Sequence, residues 1–282
     1  MKVTTSGVFI SSLLLALIVL SPASAQDLSV DQIIAKHLDS IGTKEKRQQT
    51  ATLFAAGFSE FESKVPVVKG GGKAVVVSDP ENLFFVLSLN SRDYPFEKIG
   101  AFGKKISLPY ISPGNRSLLG AFLSEHSKVL SDNLFCGSMS LRWINYISTS
   151  RMRPAGKKDV RGRQAYAIDV LPSGSGSDEF KIRIYFDSKT FQHVRSDYKR
   201  EGRVGMVTFG QQNQQAGGRV ELMEEFADFK DVDGLTLPHA YKVTFSSNSN
   251  SQMYQNSWGV RVATYYVNQK LAPDFFTFDE NE

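Results

Sequence analysis

Cysteine is nearly absent: Cys136 is the only one in 282 residues, so no disulfide can form within the chain and stability must come from burial and hydrogen bonding. Histidine is also scarce. His37, His126, His193 and His239 stand far apart, without the HExxH or other spacing that prepares a metal site. No metal or organic cofactor is expected. Charge of one sign is missing too, since 33 basic residues face 29 acidic ones without a long basic block, which leaves nucleic acid no electrostatic footprint. The one long apolar run, Val8 to Leu20, is too short for a membrane span of roughly 20 residues and is followed by Pro22.

That run has another reading. Lys2 precedes it and Ala23-Ser24-Ala25 follows it, the order of a secretory signal peptide, with cleavage expected before Gln26. Residue 26 is not cysteine, so lipid attachment is not expected there. Residues 1–25 are therefore read as the signal peptide and 26–282 as a single domain, exported and soluble.

Ser29 and Gln32 make a capping box for a helix in which Val30, Ile33, Ile34, Leu38 and Ile41 recur at helical spacing up to Gly42. His37, beside that stripe, is assigned an ordinary surface or boundary role. From residue 50 the texture is that of strands, at 53–62, 73–78 and 83–89, with Gly70 to Gly72 read as a flexible turn. Residues 94–108 suggest one or two short strands. Two helical segments then interrupt the pattern between 115 and 147: Leu118, Leu119, Phe122 and Leu123 form one apolar face, and Leu141, Trp143 and Ile144 belong to a second apolar cluster.

Beyond Pro154 the strands resume. Tyr166, Ile168 and Val170 share a face, as do Phe180, Ile182, Ile184 and Phe186 with Lys181 and Arg183 opposite, so each strand has a dry and a wet side. Two hairpins follow, the second turning at Asp233-Gly234. Trp258, Val260, Val262 and Tyr266 are expected to close the sheet. Three polar inserts, at 173–177, 211–218 and 246–255, read as mobile loops.

Catalytic patterns fail one by one. The glycine-serine run at 173–177 has the wrong spacing for a nucleophile elbow, and Gly70 to Gly72 lack the Lys-Ser/Thr of a phosphate loop. Cys136 sits among apolar helical neighbours, as a buried structural thiol does. The carboxylates at Glu60 and Glu62, or Glu221 and Glu225, share strand faces but fall mostly on the solvent side. What remains is a shape. An antiparallel sheet with one apolar face, interrupted by apolar helices, covers that face or leaves a cavity suited to a lipid tail, and pattern alone balances a filled core against an open one.

The turn motifs add a resemblance. Asp231-Val232-Asp233-Gly234-Leu235-Thr236-Leu237-Pro238-His239, running out of Glu224-Glu225-Phe226-Ala227-Asp228-Phe229, resembles the corresponding strand, turn and strand of LolA-like periplasmic carriers, the outer-membrane lipoprotein-sorting family. Val160 to Tyr166 and Ile184 to Phe191 are similar to two of its hairpins, and Ile41-Gly42 with Gly57 agrees. The resemblance implies a mainly antiparallel fold, an incomplete curved β-barrel covered by helices, acting without catalysis in the periplasm. The ligands implied are acyl chains of lipoproteins or free lipids, held in an apolar cavity as by a chaperone and transferred from an inner-membrane donor to an outer-membrane acceptor protein. The residues expected at that cavity are Ile182, Ile184 and Phe186 of the sheet with Leu119, Phe122, Leu123 and Trp143 of the helices. Two other readings stand beside it: an envelope scaffold with a filled core, and an envelope hydrolase in which histidines and Cys136 converge.

Overall fold

The computed structural model describes residues 28–171, 180–205, 215–249, 252–272 and 274–276. Residues 1–25, read from the sequence as a signal peptide, and the glycine-serine run at 173–177 lie outside these residues. Ser29 caps α1 (Val30–Ile41) through the expected reciprocal box with Gln32, and α2 (Lys44–Gln49) follows under a Thr43 cap. Strands β1 (Leu53–Lys64), β2 (Val67–Ser78), β3 (Asn82–Ser88), β4 (Phe96–Phe102) and β5 (Lys105–Ser107) come next. The helical stretch holds α3 (Leu118–Glu125), α4 (Lys128–Ser131), a 3-10 turn (Gly137–Met139) and α5 (Leu141–Tyr146). Seven strands complete the described fold: β6 (Met152–Val160), β7 (Arg163–Val170), β8 (Phe180–Asp187), β9 (His193–Gly205), β10 (Gln215–Val232), β11 (Leu235–Ser249) and β12 (Gln252–Val267).

All twelve strands join one antiparallel sheet in the order β5-β4-β3-β2-β1-β12-β11-β10-β9-β8-β7-β6. Each strand thus pairs with its neighbours in sequence, except that β1 meets β12 and the sheet is open between β5 and β6. The two edges are consecutive along the chain. Curvature follows from side-chain distances: Phe85 on β3 and Tyr241 on β11 have ring centroids 6.2 Å apart. Four strand steps separate them, roughly 19 Å along a flat sheet. The sheet is therefore curled into an incomplete barrel, and its inner side chains merge with those of α1 and the helical stretch into one continuous core.

Several sequence expectations are corrected. Gly70 to Gly72 are not a turn but lie within β2, where a Cβ would meet the carbonyl oxygens of Leu89, Ser59 and Ser88 at 2.6, 2.7 and 2.6 Å respectively. Parts of two inserts are also strand: residues 215–218 extend β10, and 246–249 with 252–255 lengthen the β11–β12 hairpin. Tyr266 is not an inner residue. A bulge opposite Ala56 and Gly57 leaves Ala263 unpaired and flips the alternation, so that Tyr265 is buried while Tyr266 is exposed.

Gly57 is what the bulge requires, because a Cβ there would sit 2.0 Å from the Arg261 carbonyl oxygen. Gly57→Ala is expected to cost about 3 kcal/mol by forcing backbone apart at the β1–β12 seam. Chemical denaturation measures it. A loss under about 1 kcal/mol would mean that the bulge relaxes freely.

Candidate functional site

Because β5 and β6 are opposite edges, the residues between them must cross the open side of the barrel. They do so as a cover. Its helices are short, eight residues in α3, four in α4 and six in α5, and each is held by the sheet more than by itself. Ser117 caps α3 at Gly120 N–H (2.7 Å) and donates its hydroxyl to Glu97 Oε1 on β4 (2.9 Å). The Leu141 amide donates to Ser78 Oγ at the end of β2 (3.0 Å). The Arg142 guanidinium donates to the carbonyls of Leu130 (3.0 Å) and Gly103 (3.2 Å), tying α4 to the β4–β5 turn.

The seven residues expected at a cavity are brought together in this interior, and each is at most 4 % exposed. Ile182, Ile184 and Phe186 point inward from β8. Phe122 on α3 reaches Phe180 and Phe245, each with ring centroids 6.1 Å away, so the cover touches β8 and β11 at once. Trp143 on α5 stacks on His193 (4.7 Å, 16°) and donates its indole N–H to His37 Nε2 (2.9 Å).

His37 is a correction. It is fully buried, because α1 turns this side chain to the sheet together with Ile33, Ile34 and Ile41. Its Nε2 accepts from Trp143, so Nδ1 carries the proton and donates to the Phe191 carbonyl (3.0 Å). Desolvation lowers this imidazole to about 4 and keeps it neutral. His193 lies 6.1 Å away, so the histidines are not all isolated as their sequence positions implied. Burial lowers His193 as well. Its Nε2 lies 3.1 Å from the Arg195 carbonyl and 2.9 Å from Ser196 Oγ, while the buried Nδ1 has no partner. Gly137 accounts for the space beside that ring: its φ is +36°, and a Cβ would stand 2.7 Å from His193 Nδ1 and 2.8 Å from Phe226 Cζ.

Two buried carboxylates were missed at the sequence level. Glu224 on β10 is 0 % exposed. Its Oε1 accepts the Cys136 amide (2.8 Å) and the Tyr241 hydroxyl, and its Oε2 accepts the Tyr198 hydroxyl, which also lies 3.0 Å from the Leu134 carbonyl. Glu97 accepts from Ser117 and Tyr94, and the Tyr94 oxygen accepts the Trp258 indole N–H (2.7 Å). Desolvation raises both carboxyls to about 7 despite these donors. Alternation could have found them: Glu224 has the parity of Val220, Leu222 and Phe226, and Glu97 that of Ile99 and Ala101. Each carboxylate binds one part of the cover to the sheet.

The other reactive candidates separate. His126 stacks flat on Phe180 (4.1 Å, 8°), His239 leans edge-on against Tyr265 (5.2 Å), and neither joins His193. Burial pushes the Cys136 thiol up, reinforced by Glu224, the opposite of what a nucleophile needs. Glu60 and Glu62 face solvent as expected, and Glu225, only 9 % exposed, is paired with Arg161 (2.6 Å).

At the margin of the cover a cleft of about 200 Å³ opens against β6 and β7. Leu134, Trp143, Ile147, Met152 and Val170 make its apolar part, while Ser131, Asp132, Asn133, Ser148 and Arg151 bring polar groups. Trp143 thus lines the cleft on one side and the buried histidines on the other.

The architecture is that of an incomplete curved antiparallel barrel with a helical cover. No family profile matches the sequence, and no curated protein does. Solved structures are similar: a LolA superfamily protein from Nitrosomonas europaea (11 % identity, 89 % of this chain and 99 % of that one, TM-score 0.47), and a DUF1329 family protein from Desulfovibrio piger (11 %, 89 % and 98 %, 0.49). An outer membrane lipoprotein-sorting protein domain from Vibrio parahaemolyticus is similar over 86 % of this chain and 96 % of that one, at 9 % identity and a TM-score of 0.42.

Proposed function

We propose that this chain is an exported carrier of hydrophobic ligands, working in the periplasm without catalysis and holding the acyl chains of lipoproteins or of free lipids. One observation supports it above the rest: the inner apolar face of an open barrel is closed by a separate segment that joins the two sheet edges. The sheet's ladder hydrogen bonds run between strands, so the cover can lift without breaking the ladder. Among the described residues no helix is long and apolar enough to cross a membrane.

The energetics allow an exchange. A chain of about 16 carbons gains roughly 12 kcal/mol on burial, before ordering costs. Displacing about six cover side chains of the size of Leu119, Phe122 and Trp143, at about 2 kcal/mol each, is of similar magnitude. A carrier that must take up and release its cargo needs such a balance, with inner-membrane donor and outer-membrane acceptor proteins as the natural partners. Native mass spectrometry of the protein purified from the envelope, followed by lipid extraction, tests the reading. A protein that carries no lipid and retains no added acyl probe would overturn it.

A second reading has its own support. The seven side chains expected at the cavity are each at most 4 % exposed, as in a scaffold that binds only through its outer surface. Phe122→Gln separates the two. Stability falls by about 3 kcal/mol in either case, because the closed form buries this ring. The carrier reading expects weaker retention of a fluorescent acyl probe by the folded fraction, and unchanged retention favours the scaffold.

A further inference from the structure

The two buried histidines stay with the sheet, while the groups that close over them belong to the cover. His37 is tied through Nδ1 to the Phe191 carbonyl between β8 and β9, and its Nε2 lone pair takes the Trp143 indole N–H at 2.9 Å. His193 sits on β9 against Phe226 of β10 (4.5 Å). The Arg195 carbonyl beside its Nε2 can only accept, so that nitrogen carries the proton and Nδ1 keeps a lone pair. That lone pair is buried and has no hydrogen-bond partner among the described residues; the backbone of Gly137, in the 3-10 turn of the cover, stands over it. Trp143 and Gly137 both leave when the cover lifts. Two neutral imidazoles with ring centroids 6.1 Å apart then offer one acceptor nitrogen each, their own N–H groups being already engaged. Trp143 shows what the place takes: an apolar body flat against His193 (4.7 Å, 16°) with an N–H aimed at His37. A hydrocarbon, an ester or an ether that replaced it would leave buried acceptors without a donor, and a carboxylate would set its lone pairs against theirs. An amide brings one donor for two nitrogens. A head with two hydroxyls serves both, and the cleft on the far side of Trp143 gives it a way in.

We infer that His37 and His193 form the polar end of the ligand site, an acceptor pair that selects an uncharged lipid head bearing two hydroxyl donors, as in a monoacylglycerol. The inference rests on the carrier reading and adds to it a selectivity. The test loads the exported chain with a fluorescent long-chain ester, which has no donor, and displaces it with a monoacylglycerol or with its di-O-methyl ether of the same acyl length, both below their aggregation concentrations. The ether keeps every acceptor oxygen and loses both O–H groups. Wild type is expected to favour the monoacylglycerol by about tenfold or more. His37→Phe and His193→Phe, which keep a ring in each place, should each bring the preference to about threefold or less, with thermal melting to verify that they are folded. A second measurement needs no variant: in wild type the nitrogen-15 resonance of His193 Nδ1 should move upfield, as on accepting a hydrogen bond, with the monoacylglycerol and not with the ether. Equal displacement by both lipids in wild type, a preference that survives both substitutions, or an Nδ1 resonance that does not respond overturns the acceptor pair and leaves the carrier standing as long as the ester binds. Failure of wild type to retain any probe overturns both.

Discussion

Glu224→Gln is expected to make stability rise with pH between 4.5 and 6.5, where the native protein is nearly flat. Four buried groups set this profile. Glu97 and Glu224, raised to about 7 in the fold, hold protons that the unfolded chain has released, so each lowers stability as pH rises from 4.5 to 7. His37, lowered to about 4, and His193, lowered well below its ordinary value by burial, act in the opposite sense: the unfolded chain binds their protons below 6.5, so each contributes stability as pH rises toward 6.5. His126, partly buried by Phe180, adds a little in the same direction. Two falling and two rising contributions, at about 1.4 kcal/mol per pH unit each, nearly cancel over the shared window. Removing Glu224's titration leaves an imbalance of about 3 kcal/mol across those two pH units.

Glutamine suits the site because its oxygen still accepts from Cys136 and Tyr241, while its amide faces Tyr198, which has the Leu134 carbonyl as an alternative acceptor. Alanine does not. Glu224→Ala leaves the Tyr241 hydroxyl and the Cys136 amide without an acceptor and is expected to cost about 4 kcal/mol even at pH 8, and more at pH 4.5, because it removes the same titration. Urea denaturation of the three proteins at pH 4.5, 6.5 and 8 decides the matter. A glutamine variant that is less stable than wild type at pH 8, with an unchanged pH profile, would mean that Glu224 is ionised in the fold.

Trp143→Ala carries the other large effect, a loss of about 5 kcal/mol. The indole is 1 % exposed, and truncating a buried tryptophan costs about 3–5 kcal/mol. His37 Nε2 also loses its donor, worth about 1–3 kcal/mol more, and relaxation of neighbouring side chains offsets part of the sum. Trp143→Phe keeps much of the stacking on His193 and should lose only about 2 kcal/mol. The vacated volume is continuous with the cleft. A long-chain lipid should therefore raise the melting temperature of the alanine variant more than that of wild type. A filled core without ligand access predicts the same loss with no rescue.

Local rules were legible where the deciding partner is near in sequence. Ser29 and Gln32 are three residues apart, and the capping box formed as expected. Alternation in β8 correctly separated Ile182 and Ile184 from Lys181 and Arg183. The same alternation put Glu224 on the inner face, yet a carboxylate there makes sense only with its partners. Cys136 lies 88 residues away in the chain, and neither strand shows that the cover brings its amide there. His37 meets Trp143 across 106 residues, so spacing alone left it at the boundary. Tyr266 failed for another reason. A bulge inserts one residue, and a period of two reverses after it.

The sequence by itself determined most of the helices and strands, the dry face of most of them, and where most hairpins turn, because these depend on contacts within a few residues. Tertiary structure alone decided that β1 meets β12, that the sheet stays open between β5 and β6, and that the residues between those edges become a cover. It also decided that Asp132 meets Arg151 beside a cleft. Pairing order and curvature depend on how apolar faces share one interior, and a buried charge is tolerated only where distant donors converge on it.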